Sequence, residues 1–213
     1  MSRMSLPVVV ALVLAPAGLR AATLEVRVND ASGKPVADAV VQAAAPNTPT
    51  EAKGAKTVEI QQVEREFVPY VTAVQAGTPV SFPNRDAIAH HVYSFAAVKT
   101  FEIKLYTGKA PAAIVFDKPG VVPLGCNIHD WMIGYVYVAA TPHFAKTDAL
   151  GVATLKDLPS GTYEVRAWHP QQRAAAPPQS VTLDVAGSHR AQAVLDVVPR
   201  KPRYKPPLDR LKY

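Results

Sequence analysis

The chain has 213 residues, 48% of them hydrophobic and 19% charged, with 20 Pro, 11 Gly, a single Cys and a net charge of +6. That length is enough for one large or two small domains with buried cores, and the modest charged fraction excludes a highly charged disordered chain. One Cys excludes an internal disulfide framework, a four-Cys zinc site and covalent c-type haem attachment, which leaves burial, a free thiol or a mixed-ligand metal site.

The positive charge gathers at the two ends. Arg3 and Arg20 lie in the first 21 residues, and Arg200, Lys201, Arg203, Lys205, Arg210 and Lys212 stand against Asp209 in residues 199–213. The body between them is close to neutral, so the clustered cations of a nucleic-acid-binding face are missing. Met-Ser-Arg, an uncharged stretch over 6–18 and the small-residue exit Leu19-Arg20-Ala21-Ala22 read as a secretory signal over 1–21. The apolar run is shorter than the ~20 residues of a membrane span. No later segment is long and apolar enough for one, so an exported, soluble mature protein is expected.

Beyond the leader, nearly every periodic segment alternates with period two between turn signals. Residues 24–28 (LEVRV) form the first expected strand and end at Asn29-Asp30-Ala31-Ser32-Gly33-Lys34-Pro35; 40–43 form the second. The polar, Pro-containing stretch 45–56 reads as a linker. Strands are then predicted at 58–63, 70–75, 79–82, 91–95, 100–105, 112–116, 121–124 and 135–139, and after Ala140 at 151–155, 162–168, 180–185 and 191–198. Short strands at this density, without a long helical period, indicate an all-β sandwich or barrel. The Pro-rich basic tail, 199–213, is expected to be extended and poorly ordered.

The strongest chemical signal is Cys126-Asn127-Ile128-His129-Asp130-Trp131-Met132, a C-x2-H-x2-M run between the strand-like GVVPLG and YVYVAA. A strand would throw positions 126, 129 and 132 to alternating faces, and Pro123 and Gly125 oppose a helix. A tight loop, on which a spacing of three converges, is the reading that remains. A fourth donor is available from His90 or His91, after the turn-like Pro83-Asn84-Arg85-Asp86, where Asn84 and Asp86 read as turn-setting residues. Strand alternation puts His91 in phase with Tyr93 and Phe95, which favours His91 facing inward. Singly, a Cys, a Met and a strand His are ordinary core residues; together in one short loop they describe a ligand set. Two imidazoles, a thiolate and a thioether form the blue-copper arrangement, and Met is a poor zinc ligand. With no open position for a substrate, the set favours carrying electrons over catalysis.

Two stretches carry resemblances. TDALGVATLKDLPSGTYEVRAWHP, with GKPVADAVV at 33–41, resembles the carboxypeptidase-regulatory-like, transthyretin-like β-sandwich modules. About a hundred residues separate these parts, which implies a small discontinuous sandwich of 22–47 plus 141–198 with a second β domain, 56–140, inserted into it. Within that insert, FVPYVTAVQAGTPVSFPNRD, the following His and the closing C-x2-H-x2-M resemble the cupredoxins of the plastocyanin and amicyanin type over roughly 58–140, with a loop spacing similar to amicyanin. The longer pattern FPNRD…HHVYSF…FDKPGVVPLGCNIHDWMIGYVYV looks like bacterial plastocyanin-like proteins labelled methylamine utilization proteins.

The cupredoxin resemblance implies a Greek-key β-sandwich and one type 1 copper per chain. His90 and His129 would be its imidazole ligands, Cys126 the thiolate and Met132 the axial thioether. It also implies single-electron transport, without enzymatic turnover, between periplasmic redox proteins such as a c-type cytochrome or a dehydrogenase. A copper-binding or assembly module without electron shuttling is the alternative. Two departures stand out. His90-His91 replaces the usual His-Asn, which keeps His91 open as the alternative ligand, and Gly125 stands where many relatives carry an aromatic residue. Trp131 reads as packing near the site. His143 and His169 are candidates for a second metal site but lack a third partner.

Overall fold

The structure, a computed structural model, describes residues 21–109, 111–183 and 187–198. The expected tail and, apart from Ala21, the expected leader lie outside the described residues, as do 184 and 185 of the strand expected at 180–185. Among the described residues the regular elements are all strands. The chain opens with β1 (Ala22–Asp30) and β2 (Val40–Ala44). There follow β3 (Val58–Glu59), β4 (Gln61–Val63), β5 (Glu66–Val68), β6 (Val71–Gln75), β7 (Thr78–Ser81) and β8 (His90–Ala96). Next come β9 (Lys99–Tyr106), β10 (Ile114–Phe116), β11 (Gly120–Gly125) and β12 (Ile133–Ala139). The last five are β13 (Phe144–Lys146), β14 (Val152–Leu158), β15 (Gly161–Trp168), β16 (Gln179–Leu183) and β17 (Ser188–Leu195). Among the described residues, no helix is long and apolar enough to cross a membrane.

The alternation of LEVRV becomes the inner face of β1, where Ala22, Leu24, Val26 and Val28 are all buried. β1 is the middle of the sheet β14-β1-β17 and faces the sheet β13-β2-β15-β16. Leu24, Val28, Val41, Leu155, Tyr163 and Leu195 fill the core between them. The first two and the last five strands therefore build one sandwich. Its last strand runs over Ser188–Leu195 rather than 191–198 because it lies parallel to β1, from Thr23↔Ser188 to Asp30↔Leu195.

The middle of the chain builds a second sandwich with its own core. A five-stranded sheet, β6-β12-β11-β8-β9, packs against the short sheet β10-β7-β3. Ile60, Phe67, Phe82, Val92, Phe116 and Val136 are buried between them. After the β8–β9 hairpin the chain crosses to β10 in the opposite sheet and returns as β11 beside β8, the crossing that gives a Greek key its character. The single strand expected over 58–63 is broken at Ile60. β3 pairs parallel with β7 while β4 forms a separate hairpin with β5, so the two halves answer to different neighbours.

A third apolar cluster joins the sandwiches. Val40 of β2 meets Val71, Tyr137 and Ala139 of β6 and β12. The Trp168 ring lies 5.3 Å from Tyr137 and 6.0 Å from Tyr135, while Gln171 Nε2 donates to the Tyr70 hydroxyl at 2.6 Å.

Candidate metal centre

The loop between β11 and β12 is closed at its base by the pair Gly125↔Ile133. Within it, Cys126, His129 and Met132 are buried while Asn127 and Asp130 are exposed. Burial therefore repeats every third residue, and the Met132 N–H donates to the His129 carbonyl at 2.9 Å to hold the loop tight. Met132 is 1% exposed and belongs to the same apolar cluster as Cys126.

His90 enters from β8. Together with Val92 and Ser94 it turns toward the core, whereas Tyr93 and Phe95 turn outward, Phe95 being 80% exposed. His91 shares that outward phase, although it is itself buried at 8% exposure, and its Nε2 bonds to Glu102 Oε1 of the neighbouring strand β9 at 2.9 Å. The inward placement expected from strand phase for His91 is thus corrected: the phase relation with Tyr93 and Phe95 holds, but the aromatic face is the outer one.

Among the described residues, the His, Cys, Asp and Glu side chains form one cluster of three or more able to hold an ion together. It consists of His90, Cys126 and His129, whose ligand atoms all lie within 4.8 Å of one another. Cys126 Sγ is 3.6 Å from His129 Nδ1 and 3.9 Å from His90 Nδ1. A metal ion with bonds of about 2.0 Å to nitrogen and about 2.3 Å to sulfur spans such separations, so the residues fit a single ion. A free, buried thiol flanked by two imidazole nitrogens is a soft, mixed donor set that points to copper. His143 and His169 are not part of this cluster. The His143 ring lies against Tyr163, and His169 Nδ1 accepts from the Gln171 N–H.

Asp86 is a residue whose part in the site sequence reasoning missed. Its Oδ2 lies 2.7 Å from His90 Nε2. The same carboxylate accepts the backbone N–H groups of Glu64 and Arg65, at 2.7 and 2.8 Å. Those two residues form the β4–β5 turn and both have left-handed backbones, φ +52° and +60°. A two-residue hairpin turn of this hand favours Asn or Gly, and the carboxylate offsets that preference by bonding both turn amides. Burial raises the Asp86 pKa, but the Arg65 N–H, His90 and the Glu64 N–H outweigh it and hold the carboxyl below its ordinary range.

On the other side of the centre, the Trp131 ring lies 5.2 Å from His129, and the Arg65 guanidinium stands 6.0 Å from the Trp131 ring. The packing role expected for Trp131 is what its ring does here. The β4–β5 turn therefore reaches both imidazoles, one through Asp86 and the other through Trp131. Gly125 has a local reason as well. A Cβ there would meet Tyr93 Cζ at 2.7 Å, so the Tyr93 ring occupies the space that a side chain before Cys126 would need.

Burial, then the charge of His90 and the Arg65 guanidinium, push the His129 imidazole down to about 4, against the pull of Asp86. An unfolded His titrates at about 6.5, so the unfolded chain binds more protons than the folded one between about pH 4 and 6.5. The stability contributed by neutral His129 is complete above 6.5, is lost as pH falls through that window and levels off below about 4. Urea denaturation of the metal-free protein across this range should show a falling midpoint, with a shallower fall in His129→Gln. An identical pH slope in that variant would contradict the assignment.

No protein-family model matches the chain, and no curated protein matches it. Among solved structures, it is similar to a mutant of amicyanin in the oxidized state, at 21% identity over 46% of this chain and 98% of that one, with a TM-score of 0.36. It is similar to a purple cupredoxin from Nitrosopumilus maritimus at 23% identity over 39% and 98% of the two chains, TM-score 0.32. It is also similar to a Cu-containing nitrite reductase from Thermus scotoductus SA-01, at 27% identity over 44% of this chain, TM-score 0.37. The match spans 27% of that reductase's length.

Proposed function

We propose that the chain is an exported, periplasmic type 1 copper protein that carries single electrons between redox partners and holds one copper per chain. The observation that supports this most is the buried convergence of His90, Cys126 and His129, with ligand atoms within 4.8 Å and with both imidazoles fully buried. On this reading His90 and His129 bind through Nδ1, Cys126 through its thiolate, and Met132 through its thioether. Bound there, copper supplies one-electron Cu(II)/Cu(I) chemistry.

The chain's own residues do the rest. The sandwich fixes His90 on a strand and Cys126, His129 and Met132 on a loop closed by a strand pair, so the donors are arranged before an ion arrives. Thiolate and thioether favour the reduced ion while the imidazoles keep the oxidised one bound. Burial of all four residues keeps a substrate from direct contact, which favours a carrier over an enzyme. The half-buried Trp131 ring, 5.2 Å from His129, covers that imidazole.

The expected partners are periplasmic redox proteins, such as a c-type cytochrome or a dehydrogenase of the methylamine-utilization kind. Mixing the ascorbate-reduced copper protein with an oxidised c-type cytochrome should reduce the haem and reoxidise the copper, one electron for one. Transfer of the copper itself to an acceptor, with no change in haem absorbance, would overturn the shuttle and favour the copper-binding module. The sandwich of β1, β2 and β13–β17, packed on β6 and β12 through Val40 and Trp168, would then be its docking platform.

A further inference from the structure

We propose that Asp86 is a positioning residue for the metal centre, fixing the tautomer of His90 and strengthening it as a ligand for the oxidised ion. The second half of this statement rests on the copper reading above; the first half does not.

A neutral imidazole carries one N–H and one lone pair, and the bond made by one nitrogen decides what the other offers. His90 is fully buried, and its Nε2 faces Asp86 Oδ2 at 2.7 Å. An ionised carboxylate is an acceptor only, so Nε2 must carry the hydrogen. The lone pair is then on Nδ1, the nitrogen that faces Cys126 Sγ. The carboxylate is itself immobilised. It accepts from Glu64 and Arg65, its backbone N–H donates to Asn84 Oδ1 at 2.9 Å, and Asn84 Nδ2 donates to the carbonyls of Ile88 and Tyr106 at 2.8 and 2.9 Å. The network runs from the β4–β5 turn through Asp86 to His90 and is anchored on β9 through the Tyr106 carbonyl.

A carboxylate on the far nitrogen raises the basicity of a ligating imidazole. A more basic nitrogen donor stabilises the more highly charged ion more strongly, so Asp86 biases the centre toward Cu(II). A residue that only stabilised the turn would have no such electronic effect.

The test has two arms on the full chain. In the metal-free protein at pH 8, the imidazole nitrogen resonances should show His90 as a single Nε2–H tautomer, and Asp86→Ala should give a tautomer mixture. In the copper-loaded protein, Asp86→Asn keeps an acceptor oxygen and loses the charge. It should weaken Cu(II) binding relative to Cu(I) by about tenfold, which is a rise of about 59 mV in the one-electron potential.

An Nδ1–H tautomer of His90 in the wild-type chain would overturn the proposal, as would an unchanged potential in a folded Asp86→Asn protein. If neither variant folds, the wild-type tautomer decides alone. A wild-type chain with the Nε2–H tautomer but no strongly coloured copper centre would overturn the copper reading and uphold the Asp86 assignment to His90.

Discussion

Cys126→Ser should abolish the intense visible absorption of the copper-loaded protein while leaving the fold in place. The colour of a copper–thiolate centre requires the sulfur, and a serine hydroxyl neither ionises at neutral pH nor offers a soft donor. Loss of a partner that merely supports a ligand costs about 10–100-fold in metal affinity, so loss of the thiolate itself should exceed that range. The substitution is nearly isosteric, although the buried hydroxyl needs a hydrogen-bond partner to avoid a cost of about 1–3 kcal/mol. The His90 and His129 nitrogens stand 3.9 and 3.6 Å from Sγ, so one ring must close in by several tenths of an ångström to accept the shorter serine hydroxyl's hydrogen. Cu(II) titration followed by visible absorption and circular dichroism separates the two effects. Retention of the band in a folded Cys126→Ser protein would exclude the sulfur as a ligand.

Phe67→Ala should lower the unfolding free energy by about 3–5 kcal/mol, the usual cost of removing a buried aromatic ring. Phe67 is 2% exposed and packs on the backbone of β12, where a Cβ on Gly134 would stand 2.8 Å from the Phe67 Cβ. The cavity would open beneath β5, the strand that follows the Glu64–Arg65 turn. The same substitution should therefore loosen the Asp86 and Trp131 contacts and weaken copper binding, without touching a ligand. Urea denaturation of the metal-free protein reads the first effect as a lower midpoint with the same slope, and copper titration reads the second. A loss below 1 kcal/mol would mean that β5 contributes little to the core.

The loop that carries the centre was legible because its chemistry lies in a local spacing. Residues 126, 129 and 132 fall three apart between two strands, and the structure buries those three and exposes 127 and 130. The choice between His90 and His91 was half legible. Alternation paired His91 correctly with Tyr93 and Phe95, but side-chain size did not say which face was inside. The inner face of β8 is His90, Val92 and Ser94, smaller than the aromatic outer face.

Asp86 was not legible as a partner of His90. They stand four positions apart across an irregular turn, and only the tertiary fold brings Oδ2 to Nε2. The same holds for Tyr93 over Gly125: sequence marks the missing side chain, and only the β8–β11 pairing supplies the ring that fills its space. In the sandwich built around β1, the alternation of that strand was plain, but its parallel pairing with β17 joins residues far apart in the chain and leaves no local trace.

On the copper reading, His90, Cys126, His129 and Met132 hold one copper ion as a thiolate-ligated redox centre. The decisive experiment is to titrate the metal-free protein with Cu(II) while recording the visible spectrum. The expected result is an intense band that saturates at one copper per chain and bleaches on adding ascorbate. A faint band, or saturation at several ions per chain, would contradict it.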